Sequence, residues 1–493
     1  MSFKRQVAYN TTVQIIGKAI VTVLSVLITI LLTRYLGPSK YGQYNIVITF
    51  VGFFVVLADL GVYPIAVREM SQHPENKEKI YGNVVTYRVF SAILTMGLAF
   101  LIGLLMPYPE VVKFAIGIYA VATFVGLLVN LVMAVFQINY RMDLPAIADV
   151  LGRGLYLLVL FFALQRHYSL YGIFWLLVLT SIFNLGLNLF LGRRYIKLKP
   201  ALDFVFIKSF LRESLPLGLA TIFGMIHFKI DTILLSLMKP SFDVGIYGAS
   251  YRIFENLIII PAIFVGMVFP RLSFLFMNDF AGFKKIFQKS LDLLILIAIP
   301  VVIIFYFLSP YLVSVVAGRE FYLAIFPLKI LLFSLFATFL ISIFSYTLIA
   351  AKKQTVLIYV WAALSAINII LNLIFIPHFS YKGAAVVTVT TETLTLITLY
   401  VLVKKLINIK PNLAYVTKSF LPALIFISGF YFLAKSHFIN LDYFADLALY
   451  NQILLVSAVL IFSFLIYGLL LLLFKVIRKN EIYEIIKINK EQP

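Results

Sequence analysis

The sequence predicts an all-α polytopic membrane protein of about 14 transmembrane helices, arranged as two parallel-related six-helix lobes plus two extra C-terminal helices. Three observations carry this: a strongly apolar composition, apolar runs of membrane length, and an internal repeat. Of 493 residues, 62% are hydrophobic and 13% charged, and the mean hydropathy is +1.02. That leaves too little polar surface to cover a soluble globule of this length.

A hydrocarbon core about 30 Å thick needs about 20 apolar residues per helix. The first six spans that meet this lie near residues 11–33, 43–67, 82–106, 111–136, 144–164 and 170–191. Six more lie near 214–238, 250–276, 290–312, 322–350, 355–376 and 383–403, and two remain near 416–434 and 450–474. The opening MSFKRQVAYN and the apolar run behind it resemble a signal peptide, but the run is too long and no small-residue cleavage site follows, so it is kept as span 1.

The repeat begins with the loop LTRYLGPSKYGQY between spans 1 and 2. Leu31, Leu32 and Thr33 are answered by Leu234, Leu235 and Ser236; Pro38 and Ser39 by Pro240 and Ser241; Gly42 and Tyr44 by Gly245 and Tyr247. Further on, HYSLYG from His167 to Gly172 matches HFSYKG from His378 to Gly383, and Tyr140-Arg141 sits opposite Ala351-Lys352. Six spans separate each motif from its copy, and an even number preserves direction, so the halves are parallel repeats. The expected divisions are 1–200 for the first lobe, 201–410 for the second, and 411–493 for spans 13 and 14 with a cytoplasmic tail.

Charge sets the expected orientation. The termini and even-numbered connections hold twenty-five Lys and Arg, among them Arg193, Arg194, Lys197 and Lys199, against seven in the odd-numbered ones. The positive-inside rule then places both termini in the cytoplasm. The net charge of +20 is thereby explained by topology and anionic membrane lipids, with no folded soluble domain to bind nucleic acid. Zero cysteines and five scattered histidines offer no disulfide, metal site or cofactor pocket.

Polar groups inside the spans carry the functional information, because each charge costs roughly 2.5 to 3.5 kcal/mol at a helix centre. In span 1, Gln14, Lys18, Thr22, Ser25 and Thr29 recur every three or four residues, drawing one polar stripe. In span 2, Asn45 and Thr49 share a face that ends in Asp59. Span 7 carries His227 and Asp231 one turn apart with Lys229 on the other side, and span 8 begins with Arg252, Glu255 and Asn256. Arg88 lies in span 3, and Glu392 lies in span 12 on a stripe with Thr388, Thr391 and Thr395. Asp149 with Arg153, and Arg252 with Glu255, are spaced so that each pair is equally readable as a self-contained ion pair.

These motifs resemble the polysaccharide-export branch, O-antigen and teichoic-acid type, of the multidrug/oligosaccharidyl-lipid/polysaccharide (MOP) flippase superfamily. The residues that carry the resemblance are the run from Leu32 to Tyr44, Asp59-Leu60-Gly61, Tyr171-Gly172 and the KGAA from Lys382 to Ala385. It covers essentially the whole chain. The resemblance implies two six-helix lobes around a cavity lined by spans 1, 2, 7 and 8, working by alternating access on a polyprenyl-diphosphate-linked oligosaccharide. It also implies residence in the cytoplasmic membrane, with polysaccharide-assembly enzymes as partners, and no catalytic role.

On that reading Lys18, Arg88, Lys229 and Arg252 are the candidate cations for the diphosphate. Gln14, Thr22, Ser25, Thr29, Asn45 and Thr49 are candidates to meet sugar hydroxyls. Asp59, Asp231, Glu255 and Glu392 are candidates for holding the cations or for carrying a coupling H+ or Na+. A lipid II flippase of the same superfamily differs only in cargo. A multidrug-type antiporter calls for an acidic cavity, whereas the intramembrane count here leans basic. A glycan polymerase or ligase needs a sizeable outer loop bearing acid and base groups, which the short outer connections do not supply.

Overall fold

The computed structural model describes residues 3–195, 199–435 and 441–476, and every regular element among them is helical. Lys197 of the interlobe linker and the expected cytoplasmic tail beyond Val476 lie outside the described residues. The helices are α1 (Phe3–Asp59), α2 (Val62–Gln72), α3 (Lys77–Leu105), α4 (Glu110–Ile138), α5 (Asp143–Gln165), α6 (Leu170–Gly192) and α7 (Phe204–Met238). They continue as α8 (Ser241–Asn278), α9 (Phe280–Ala317), α10 (Ile325–Ala350), α11 (Gln354–Leu406), α12 (Ala414–Lys418), α13 (Phe420–Lys435), α14 (Leu441–Asp446) and α15 (Leu449–Leu473).

Among the described residues, 11 helical stretches are long and apolar enough to cross a membrane. Two of them are double. α1 breaks at Gly37, whose φ of 66° is left-handed and which precedes Pro38, while α11 breaks at Ser380, with φ 50° and ψ −136°. Each break yields two membrane-length arms, and the shorter apolar helix Phe420–Phe432 completes the expected fourteen. The Ser380 bend is held from outside its own helix: its Oγ donates to Asp243, and Lys239 Nζ donates to the Pro377 carbonyl at 2.8 Å.

Span 2 ends earlier than the sequence suggested. Leu60 (φ 40°) and Gly61 (φ 74°) stop α1 at Asp59, and residues 62–72 turn into the separate helix α2. That helix is amphipathic, with Val62, Ala66 and Met70 buried in a cluster with Tyr81, Val84 and Val135. α7 in turn begins ten residues before the expected Ser214. Its 35 residues make it about 52 Å long, more than a hydrocarbon core requires.

The repeat is visible in backbone detail. Past the end of α4, Tyr140 is left-handed; its N–H reaches Gln137 O at 3.2 Å and the N–H of Arg141 reaches Phe136 O at 2.9 Å. Past the end of α10, Lys352 is left-handed, its N–H reaches Ile349 O at 2.9 Å and the N–H of Lys353 reaches Leu348 O at 2.8 Å. These are the same helix-ending turn, and they pair Tyr140 with Lys352, one position beyond the sequence match to Ala351.

The contacts divide the chain into two compact units, Met1–Gly245 with Asn372–Ser380, and Ile246–Leu371 with Tyr381–Pro493. Within the first unit the two copies of the loop motif pack on each other. A Cβ on Gly42 would overlap the carbonyl oxygen of Ser241, and a Cβ on Gly245 would overlap that of Pro38. Each obstructing residue lies four positions before the other glycine, so the approach is reciprocal. Further along the same seam, a Cβ on Gly52 would lie 3.3 Å from Met225 Cε, and one on Gly218 would lie 2.6 Å from Leu60 Cα. The second arm of α1 thus runs antiparallel to α7, with the first turn of α8 against its Gly42 end.

Candidate functional site

On the first arm of α1 the expected polar stripe passes from surface to interior. Lys18 is exposed, Gln14, Thr22 and Ser25 are half-buried, and Thr29 and Thr33 are buried. Each hydroxyl is spent on the preceding turn: Thr22 donates to Lys18 O, Ser25 to Val21 O and Thr29 to Ser25 O, at 2.7 to 2.8 Å. Ile20 and Val23 are exposed beside them, as a lipid-facing flank requires. On the second arm Thr49 is buried and Asn45 is half-buried, with the Asn45 side-chain amide nitrogen enclosed and making no hydrogen bond.

Two of the expected site residues meet in a way that revises their roles. Arg88 of α3 is wholly buried, and its guanidinium is committed to the Asp59 carboxylate and, at 2.8 Å, to the Ala58 carbonyl. Arg88 is therefore not a cation held open for a phosphate. The partner of Asp59 comes from span 3. The pair closes the end of α1 where the left-handed residues leave backbone carbonyls without helical donors. On α7, His227 and Asp231 are both buried, Asp231 Oδ1 accepts from the Thr232 N–H at 2.7 Å, and Lys229 is half-buried.

In the second unit Arg252 and Glu255 form an i,i+3 pair at 3.5 Å, with both side chains partly exposed. Glu392 is 3% exposed and accepts from Thr338 Oγ1 at 3.4 Å. Around it, Asn368 Nδ2 donates to Thr391 Oγ1 at 3.2 Å, and Tyr247 and Thr388 share a hydrogen bond of 3.3 Å. The threonine stripe read from the sequence is thus a buried network of hydroxyls and amides around one carboxylate.

The first unit also contains a polar cavity of about 540 Å³, bounded by α4, α5, α6 and Val55 of α1. Asp149 and Arg153 line it, together with Asn130, Asn184, Thr180 and Ser181. Asp149 accepts from Asn184 Nδ2 at 3.5 Å, and Asn184 also bonds Asn188 at 2.6 Å. Gly152 makes room for this, since a Cβ there would lie 2.7 Å from Asn184 Nδ2. The sequence reading passed over Asn130, Thr180 and Asn184. The signal was present in span 6, where Thr180, Asn184 and Asn188 repeat every four residues as the span 1 stripe does.

At the membrane surface, Arg141 of the α4–α5 turn is held by Asp143 at 3.0 Å and donates to the Tyr195 hydroxyl at 2.7 Å. The adjacent Asp143 carboxylate raises the Arg141 pKa further, so the charge is fixed. Asp203, the N-cap of α7, has its carboxyl pKa lowered by the Phe206 N–H that it accepts and by Lys79.

A family model of polysaccharide biosynthesis proteins matches residues 5–276. A Shigella flexneri protein named for O-antigen transport is 25% identical over 313 residues, which are 60% of this chain and 73% of that protein. Among solved structures, the lipid II flippase MurJ in an inward closed conformation has a TM-score of 0.75 at 18% identity, covering 91% of this chain and 97% of that one. An inward-facing multidrug resistance MATE family transporter of the MOP superfamily has a TM-score of 0.69 at 13% identity, covering 80% and 98%.

Proposed function

Since the chain belongs to the polysaccharide biosynthesis protein family, within the MOP superfamily that its motifs indicated, we propose that it is a flippase for polyprenyl-diphosphate-linked oligosaccharide. It would act in the cytoplasmic membrane by alternating access, with both termini cytoplasmic. The observation that carries this reading is the seam of the second arm of α1 against α7 and the first turn of α8. Its helices come from opposite repeats, and at Gly42, Gly218 and Gly245 they meet backbone to backbone. At these three glycines no side chains interlock, so the contact can separate and re-form without repacking there, as alternating access requires.

Lys18, exposed on the first arm, is the leading candidate for the diphosphate, with Lys229 and Arg252 beside it in role. Asp59 and Arg88 serve the helix end. Glu392, buried among hydroxyls, is the candidate for the coupling H+ or Na+. Glycan-assembly enzymes are the expected partners. The test is leaflet accessibility of a lipid-linked oligosaccharide in vesicles containing the purified protein, with lipid II and a cationic dye as competing cargoes. Faster transfer of the oligosaccharide supports the reading; transfer of the dye alone overturns it.

A further inference from the structure

We propose that the cavity bounded by α4, α5, α6 and the second arm of α1 is a glycan subsite, taking an uncharged, hydroxyl-rich sugar of the cargo. This inference rests on the flippase reading and adds to it where the sugar is held. Its volume of about 540 Å³ falls within the range of small-molecule pockets, about 300 to 1,000 Å³.

The lining selects the ligand class. Asp149 and Arg153 are the charged residues of the lining, and their formal charges cancel. A diphosphate needs surplus positive charge and a cationic drug needs surplus negative charge, and neither is offered. A lipid tail would strand the polar wall. What remains are fixed donors and acceptors: a carboxylate, a guanidinium, and the amides of Asn130 and Asn184. Such groups bond two neighbouring hydroxyls at once, while the rings of Tyr119 and Tyr156, also in the lining, suit the C–H face of a sugar.

One residue shows that this wall is not satisfied from within. Thr22, Thr29 and Thr180 each donate to a carbonyl of the preceding turn, which is the ordinary fate of a hydroxyl in a membrane helix. Thr123 lines the cavity, and its buried Oγ1 makes no hydrogen bond. That hydroxyl, enclosed beside the cavity, is thus not spent on its own helix.

The cavity also has the right depth. Asn130, Asp149 and Asn184 lie about two turns from the ends of α4, α5 and α6 that the charge asymmetry assigns to the cytoplasm. That is about 9 to 12 Å inside, at 1.5 Å per residue. A sugar reaches this polar end while the diphosphate stays near the headgroups and the prenyl chain stays in the bilayer, and Tyr119 and Tyr156 line the deeper part.

The chain has no cysteine, and Gly126, also in the lining, has nothing within 4 Å of an added Cβ. Gly126→Cys therefore places a single thiol in the cavity without a clash. In vesicles the thiol is labelled with a water-soluble methanethiosulfonate, alone, with lipid-linked glycans extracted from the cells that make the protein, or with polyprenyl diphosphate lacking sugar. The sugar-bearing lipid is expected to slow labelling at least tenfold and the bare lipid to leave it unchanged. A companion variant, Gly126→Leu, fills the space and is expected to lower glycan-lipid flipping at least tenfold, whereas Gly97→Leu, also in open space, does not. Equal protection by both lipids, or none by a glycan lipid that the wild type flips, overturns the subsite and leaves the flippase reading standing. If the wild type flips no extracted glycan lipid, the flippase reading fails and the subsite with it.

Discussion

The carboxylate of Asp59 and the guanidinium of Arg88 meet at the point where α1 stops, with Arg88 wholly buried and Asp59 its partner in charge. Removing one member of such a pair leaves an uncompensated buried charge, which costs about 3 to 5 kcal/mol. Asp59→Asn is therefore expected to lower the thermal midpoint of the purified protein markedly, and Asp59→Asn with Arg88→Met to recover more than half of the loss. A single variant that is as stable as wild type and loses only the pH dependence of flipping would return Asp59 to a coupling role.

The approach of Gly42 to Ser241, mirrored by that of Gly245 to Pro38, leaves no volume for a side chain. Gly42→Val and Gly245→Val are each expected to reduce flipping at least tenfold while protein still accumulates in the membrane, because the obstruction bears on closing this seam. Unchanged transport in either variant would show that the seam is not part of the cycle.

Along the first arm of α1, thiol chemistry should follow burial. With a water-soluble reagent, cysteines replacing Lys18 and Thr22 are expected to react. A cysteine replacing Thr29, which is 5% exposed, is expected to remain unlabelled, as are cysteines at the lipid-facing Ile20 and Val23. Labelling that is equal along the whole arm would remove the case for a water-facing stripe.

For Glu392 the readout is ion dependence. Glu392→Gln keeps the shape and the hydrogen bond from Thr338 but removes the charge, so flipping is expected to lose its response to Na+ or pH. Glu392→Asp is expected to keep the response at reduced rate. A Gln variant with wild-type ion dependence would exclude this carboxylate from coupling.

Much of this architecture was legible in the sequence because a bilayer reduces folding to a question of apolar length. The spans, the doubled halves and the polar stripe all follow from periodicity. The end of span 2 was legible only in part: Gly61 marks a tight turn, but the apolar pattern runs on to about residue 67 and hides where the helix stops. Arg88 was legible as a charge but not as a bound one: its partner lies 29 positions away, and nothing local distinguishes a paired arginine from an open one. The cavity of α4, α5 and α6 was missed for a related reason. In span 4 Thr123 and Asn130 stand seven residues apart, and their meaning depends on lining one cavity with Asn184 of span 6, which only packing reveals.

The start of α7 is fastened as a beam is built into a wall. Asp203 caps the helix, its N–H is received by Asn83 at 2.6 Å, and its carboxylate is held by Lys79 at 3.3 Å. Just before it, the carbonyl of Lys199 lies against Gly82 with no room for a Cβ. The entry of α7 is thus a fixed support, tied to α3 at Lys79, Gly82 and Asn83. Beyond that support the hydrogen-bond ladder of α7 is interrupted at Pro216, whose ring deprives the Arg212 carbonyl of its helical donor. A load carried by α7 therefore meets its first weakened turn about 13 residues past the support and roughly 20 Å along it.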